Sequence, residues 1–111
     1  MELYVILQLV WFHCIADFIL QTRKMAELKS SSNVWLGFHA LVYAIPFTWI
    51  GIKYAIVTGI LHFLVDWFSS RGTHHTWLTG NVRLFFIIIG VDQAIHMTFL
   101  VLTYIAMKGA L

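Results

Sequence analysis

Apolar residues run along this chain in four long stretches separated by three polar breaks. The stretches cover about residues 3–20, 34–50, 54–68 and 84–107. Each is near the length that crosses a hydrocarbon core of about 30 Å. The first break holds Gln21, Arg23, Lys24, Glu27, Lys29 and the run Ser30-Ser31-Ser32-Asn33. The second is only Gly51 to Lys53, so the second and third stretches form a tight antiparallel hairpin. The third, Ser69 to Asn81, carries Arg71, Gly72, His74, His75 and Gly80 and is expected to be a loop. Pro46 lies near the far end of the second stretch, where a membrane helix tolerates a kink. The pattern predicts an all-α protein: an integral membrane bundle of four transmembrane helices, one membrane domain over residues 1–111.

Composition sharpens this reading. The 111 residues are 60% hydrophobic and 11% charged, whereas a soluble domain has about a quarter of its residues charged. The net charge of +2 is small and its basic residues are scattered, which excludes the concentrated stripe of a nucleic-acid surface. Cys14 is the only cysteine, so no intrachain disulfide forms. The first stretch has Glu2 where a signal peptide has basic residues, and it contains His13 and Asp17. It is therefore expected to be a retained helix rather than a cleaved signal. Four of the five tryptophans lie near expected helix ends, as an interfacial belt requires, and Trp11 is the exception.

Arg23, Lys24, Lys29, Arg71 and Arg83 share one face of the membrane, and Lys53 and Lys108 lie on the other. The excess of positive charge puts both long loops in the cytoplasm and both termini outside, in what is expected to be a bacterial inner membrane.

Three of the five acidic residues fall inside the expected helices: Asp17, Asp66 and Asp92. A carboxylate near the bilayer centre costs roughly 2.5–3.5 kcal/mol even on insertion scales, so each needs compensation. Each has a histidine four positions away, about one helical turn: His13 with Asp17, His62 with Asp66, and His96 with Asp92. His39 adds an imidazole from the remaining helix. At a rise of about 1.5 Å per residue, all seven groups lie in the cytoplasmic half, and they converge if each polar face turns inward. Six are expected to form one cluster with Asp17 beside it. Gln21 and Gln93 extend the polar stripes.

Four imidazoles and three carboxylates are the ligand types of a divalent metal, with Zn²⁺ ahead of Fe²⁺ or Mn²⁺. They suit two ions, or one ion with a second shell of Asp–His hydrogen bonds. A dication also neutralises the carboxylates. A bundle held by Asp–His hydrogen bonds alone, or a proton relay, uses the same residues without metal. His74 and His75 are assigned to solvent ahead of an access loop reaching over the site, and Cys14 is read as a buried, inert thiol rather than a metal ligand.

The run His13-Cys14-Ile15-Ala16-Asp17-Phe18-Ile19-Leu20-Gln21-Thr22 resembles the opening H-x-x-x-D-F-x-L-Q-[ST] of a family of small bacterial and phage membrane proteins classed as a domain of unknown function. His39-Ala40-Leu41, His62-Phe63-Leu64-Val65-Asp66 and Asp92-Gln93-Ala94-Ile95-His96 continue the likeness in order along nearly the whole chain. The resemblance implies a fold and a polar constellation, not a reaction. Arg71-Gly72-Thr73-His74-His75 is more weakly similar to the H-R-G-x-T-H-S signature of membrane-bound metal-dependent hydrolases, but lacks its first histidine and its serine.

The expected function is a membrane-embedded metal-binding protein, as a metal-dependent hydrolase acting on a lipid-linked or membrane-proximal substrate at the cytoplasmic leaflet. One of Asp17, Asp66 and Asp92 then serves as general base. The alternatives are an ion or proton conductor and a phage-type membrane effector whose polar core only locks the bundle. The expected partners are the lipid bilayer and a lipid-linked substrate, with no nucleic acid; the sequence leaves the oligomeric state open.

Overall fold

The computed structural model describes residues 2–111 and is all-helical. Helix α1 (Glu2–Cys14) runs on through a π-turn (Ile15–Ile19) closed by the Leu20 N–H on the Ile15 carbonyl at 2.8 Å. A short α2 (Arg23–Leu28) follows, then α3 (Asn33–Ala44), which tightens into a 3₁₀ segment over Ile45–Trp49. Helices α4 (Ile52–Leu78) and α5 (Val82–Met107) form a long hairpin, with a last 3₁₀ turn at Lys108–Ala110. Side-chain caps mark the starts: Thr22 accepts from the Met25 N–H at 3.2 Å, Ser32 from Trp35 at 3.4 Å and Asn81 from Leu84 at 3.1 Å.

The long segments pack in the cyclic order α1, α3, α4, α5, with α5 returning to α1. Glu2 pairs with Lys108, so both chain ends lie at the same end of the bundle. Between α3 and α4 the backbones approach closely. A Cβ on Gly59 would stand 3.2 Å from that of Ala44 and 3.6 Å from the Ala40 carbonyl oxygen, the close approach small residues allow between membrane helices.

Three segments are long and apolar enough to cross a membrane: Glu2–Ile19, Ile52–Leu78 and Val82–Ala110. The expected second span is interrupted. Pro46 has no N–H to continue the α-helical ladder, and the chain tightens to 3₁₀ rather than holding one helix to Ile50.

Two expected loops are corrected. The first contains α2. The third, taken as running from Ser69 to Asn81, is helical to Leu78: polar residues ended the apolar run at Phe68 but not the helix. The true stop is Gly80, at φ +73°. There the Asn81 N–H reaches the Thr76 carbonyl at 2.9 Å and the Gly80 N–H reaches Trp77 at 3.2 Å. This is a Schellman turn, which needs a left-handed residue at that position. His74 and His75 therefore lie on a helix, although both are exposed.

The distribution of residues is inverted relative to a soluble protein. Leu3, Trp11, Trp49, Ile52 and Phe68 are exposed on the outer surface, while the buried residues include Asp17, Asp66 and Asp92 and His13, His39, His62 and His96. One end of the interior is apolar, built from Leu9, Phe47, Tyr54, Ala55 and Leu100. The Tyr54 hydroxyl donates there to the Leu100 carbonyl at 2.7 Å. The other end is polar.

Candidate metal centre

Four buried side chains, delivered by the π-turn, α3 and α4, bring one ligand atom each to a common point: Asp17, His39, His62 and Asp66. His39 Nε2 stands 2.9 Å from His62 Nε2, 3.1 Å from Asp17 Oδ1 and 3.3 Å from Asp66 Oδ2. His62 Nε2 stands 3.4 Å from Asp17 Oδ1 and 3.5 Å from Asp66 Oδ2. A ring nitrogen carries at most one proton, so neither Nε2 can satisfy three neighbours by hydrogen bonding. A cation between them satisfies all four atoms. With bonds of about 2.0–2.1 Å, a tetrahedral site has edges of about 3.3–3.4 Å. The observed spacings scatter around that value.

The same carboxylates reach outward. Asp66 turns Oδ1 to His96 Nε2 at 3.3 Å, and His96 Nε2 lies 3.0 Å from Asp92 Oδ1. Asp17, Asp92 and His96 form a second group of ligand atoms close enough to share an ion. The Gln93 amide bridges Asp17 Oδ2 at 3.0 Å and Asp92 Oδ2 at 3.1 Å, and the Ser69 hydroxyl donates to Asp92 Oδ1 at 2.5 Å.

His13 stands beside this centre rather than in it. Gln93 gives its NH₂ to two carboxylates, so its Oε1 accepts from His13 Nε2 at 2.6 Å. His13 Nδ1 then accepts from the Tyr43 hydroxyl at 2.8 Å, which fixes the tautomer through the network. The ring is 3.8 Å from Asp17 Oδ2. The expected emphasis is thus reversed: Asp17 is central and His13 is peripheral. Own-helix pairing is also not the leading contact for two of the acids. Asp17 lies nearer His39 than His13, and Asp66 nearer Lys29 than His62.

The rings are held by stacking. Tyr43 stacks on His62 with centroids 3.7 Å apart and planes at 17°, and His62 stacks on His96 at 4.1 Å and 22°. The far nitrogens of His39 and His62, Nδ1 in each, are buried with no partner among the described residues. Packing therefore orients these rings where a hydrogen bond to the far nitrogen commonly does.

Lys29, on the segment after α2, donates from Nζ to Asp66 Oδ2 at 2.8 Å. Lys29, Tyr43 and Ser69 were absent from the sequence expectation. Tyr43 is four residues after His39 and Ser69 three after Asp66, so helical spacing pointed to both; nothing local pointed to Lys29. A cleft of about 410 Å³ opens beside the centre, and Asp17, Asp66, Asp92, Lys29, Gln21 and His74 are among its lining. His75 is exposed, and so is Cys14, which was expected to be buried but points away from the interior on the last turn of α1.

Comparison with curated proteins and with solved structures finds no match. One protein family, described as a protein of unknown function (DUF3307), matches residues 5–110, nearly the whole chain and every residue of the cluster. The chain belongs to that family.

Proposed function

We propose that this protein spans the membrane four times, binds a single divalent metal ion in the cytoplasmic half of its bundle, and uses it to hydrolyse a lipid-linked or membrane-proximal substrate. The observation that carries this reading is that His39 Nε2 and His62 Nε2 lie 2.9 Å apart and each lies 3.1–3.5 Å from Asp17 Oδ1 and Asp66 Oδ2, spacings of the size a tetrahedral site has along its edges. In this reading α3 and its 3₁₀ continuation form the fourth crossing. An even number of crossings agrees with the pairing of Glu2 and Lys108 at one end. The 27 residues of α4 measure about 40 Å, longer than the hydrocarbon core, so its last two turns, with His74 and His75, stand clear on the cytoplasmic side.

Charge favours one ion over two. Asp17, Asp66 and Asp92 carry three negative charges and Lys29 one positive, so one dication leaves the buried cluster neutral. A second would leave it strongly positive in a low-dielectric interior. Zn²⁺ best suits four nitrogen and oxygen ligands at these spacings, ahead of Fe²⁺ or Mn²⁺.

A dication held there polarises a phosphoryl or carbonyl oxygen and lowers the pKa of water toward 7. Asp17 and Asp66 each give an oxygen to the four-atom group. Asp92 does not, and Ser69, Gln93 and His96 hold it in place beside the cleft. Asp92 is therefore the best-placed general base. The relay alternative is less well supported, because the apolar packing of Leu9, Phe47 and Leu100 closes the opposite half of the bundle to a chain of polar groups. The test is turnover of chromogenic long-chain phosphates and esters by metal-loaded and chelator-stripped protein. Turnover should require metal and should disappear in Asp92→Asn with metal retained. Equal turnover in stripped protein or in Asp92→Asn contradicts the assignment.

A further inference from the structure

We propose that the cleft beside the metal centre binds the head of an anionic amphiphile, a phosphate monoester on an apolar chain that enters from the bilayer. This inference rests on the hydrolase reading and names its substrate class.

The cleft is lined by unused donors. Lys29 Nζ has three N–H donors and spends one on Asp66 at 2.8 Å, leaving two. Ser70 is 4% exposed and lines the cleft, yet its hydroxyl has no hydrogen-bond partner among the described residues. A buried hydroxyl without a partner is costly and calls for a ligand or water. Gln21 also lines the cleft; its buried amide oxygen Oε1 has no partner among the described residues, and a flip of the amide would put the donating NH₂ in its place. Two N–H donors and one hydroxyl match the three terminal oxygens of a phosphate monoester. With the dication bound, the ion and Lys29 cancel the three carboxylates, so the incoming anion meets a neutral cluster with free N–H donors rather than the net negative charge that would repel it. Glu27, the other acid of the lining, is engaged by Arg23 at 2.9 Å.

Part of the wall is apolar: Phe18, Trp77, Phe85 and Ile89. Phe18 is 55% exposed and Trp77 64%, so the apolar part of the wall reaches the surface of the molecule. A cleft of about 410 Å³ accepts a head and the first carbons of a chain, leaving the rest in the bilayer.

The experiment is calorimetric binding of decyl phosphate, inorganic phosphate and neutral decyl glucoside to the metal-loaded protein in nanodiscs, corrected for partition into empty nanodiscs. Decyl phosphate should bind at least about tenfold tighter than either control, and Lys29→Met should remove at least about tenfold, the worth of one charge-assisted hydrogen bond. Lys29→Arg should restore most of it. Ser70→Ala should weaken binding several-fold with metal content unchanged. Inorganic phosphate binding as tightly as decyl phosphate overturns the proposal, as does unchanged binding in Lys29→Met or no binding at all to metal-loaded protein. Lys29-dependent binding of decyl phosphate by a protein that retains no metal removes the hydrolase reading and leaves the cleft assignment standing.

Discussion

His39 Nε2 and His62 Nε2 face each other at 2.9 Å, and each also lies within 3.5 Å of Asp17 and Asp66. Two neutral imidazoles at that distance share one proton and leave the carboxylates poorly served. The same atoms around a dication are all satisfied at once. His62 is also the middle ring of the stack between Tyr43 and His96.

Replacing His62 with Ala should therefore remove a ligand and the packing that orients the other rings. Metal affinity should fall by well over 10-fold, since loss of even a supporting partner costs roughly 10–100-fold. Thermal stability in detergent should fall with it. Metal titration and a melting curve on the same sample check both.

His13→Ala should behave differently. This ring orients Gln93 and, through it, Asp17 and Asp92, but it is not one of the four converging ligand atoms. The variant should keep a stoichiometric ion under saturating metal while its affinity drops roughly 10–100-fold. Complete loss of binding capacity would move His13 into the ligand set.

The helical repeat of acids and histidines was legible because a buried carboxylate is costly and a four-residue spacing leaves few ways to relieve it. Which partners meet was not legible. Asp66 is served by Lys29 from a segment 37 residues away and by His96 from 30 residues away, and no local spacing encodes either contact. Hydropathy also misplaced the end of α4. Ser69, Ser70, Arg71 and His74 are polar, but a helix continues through polar residues until something stops it, and the stop is the left-handed Gly80. Pro46 was read as a kink that one continuous helix tolerates, whereas the chain tightens to 3₁₀ there and buries Phe47 in the core.

Gly80→Ala should destabilise the α4–α5 turn by about 1–2 kcal/mol, the cost of a left-handed backbone for a residue with a Cβ. Spin labels at His74 and His75 should report helical order in the native protein. Loop-like mobility at both sites would contradict the extended α4.

Topology is open to cysteine labelling in a background with Cys14 replaced by Ala. Ser31→Cys should react from the cytoplasmic side and Lys53→Cys from the other. Reaction of both from one side would contradict four crossings with the termini outside.

The central claim is that the converging histidines and aspartates hold one dication. Elemental analysis of detergent-purified protein, after removal of loosely bound metal by gel filtration, tests it most directly. The account predicts one divalent ion per chain in the native protein and a marked loss in His62→Ala. A well-folded native protein that takes up no stoichiometric dication, even when reloaded with Zn²⁺, Fe²⁺ or Mn²⁺, would contradict it and leave the cluster as a metal-free lock within the bundle.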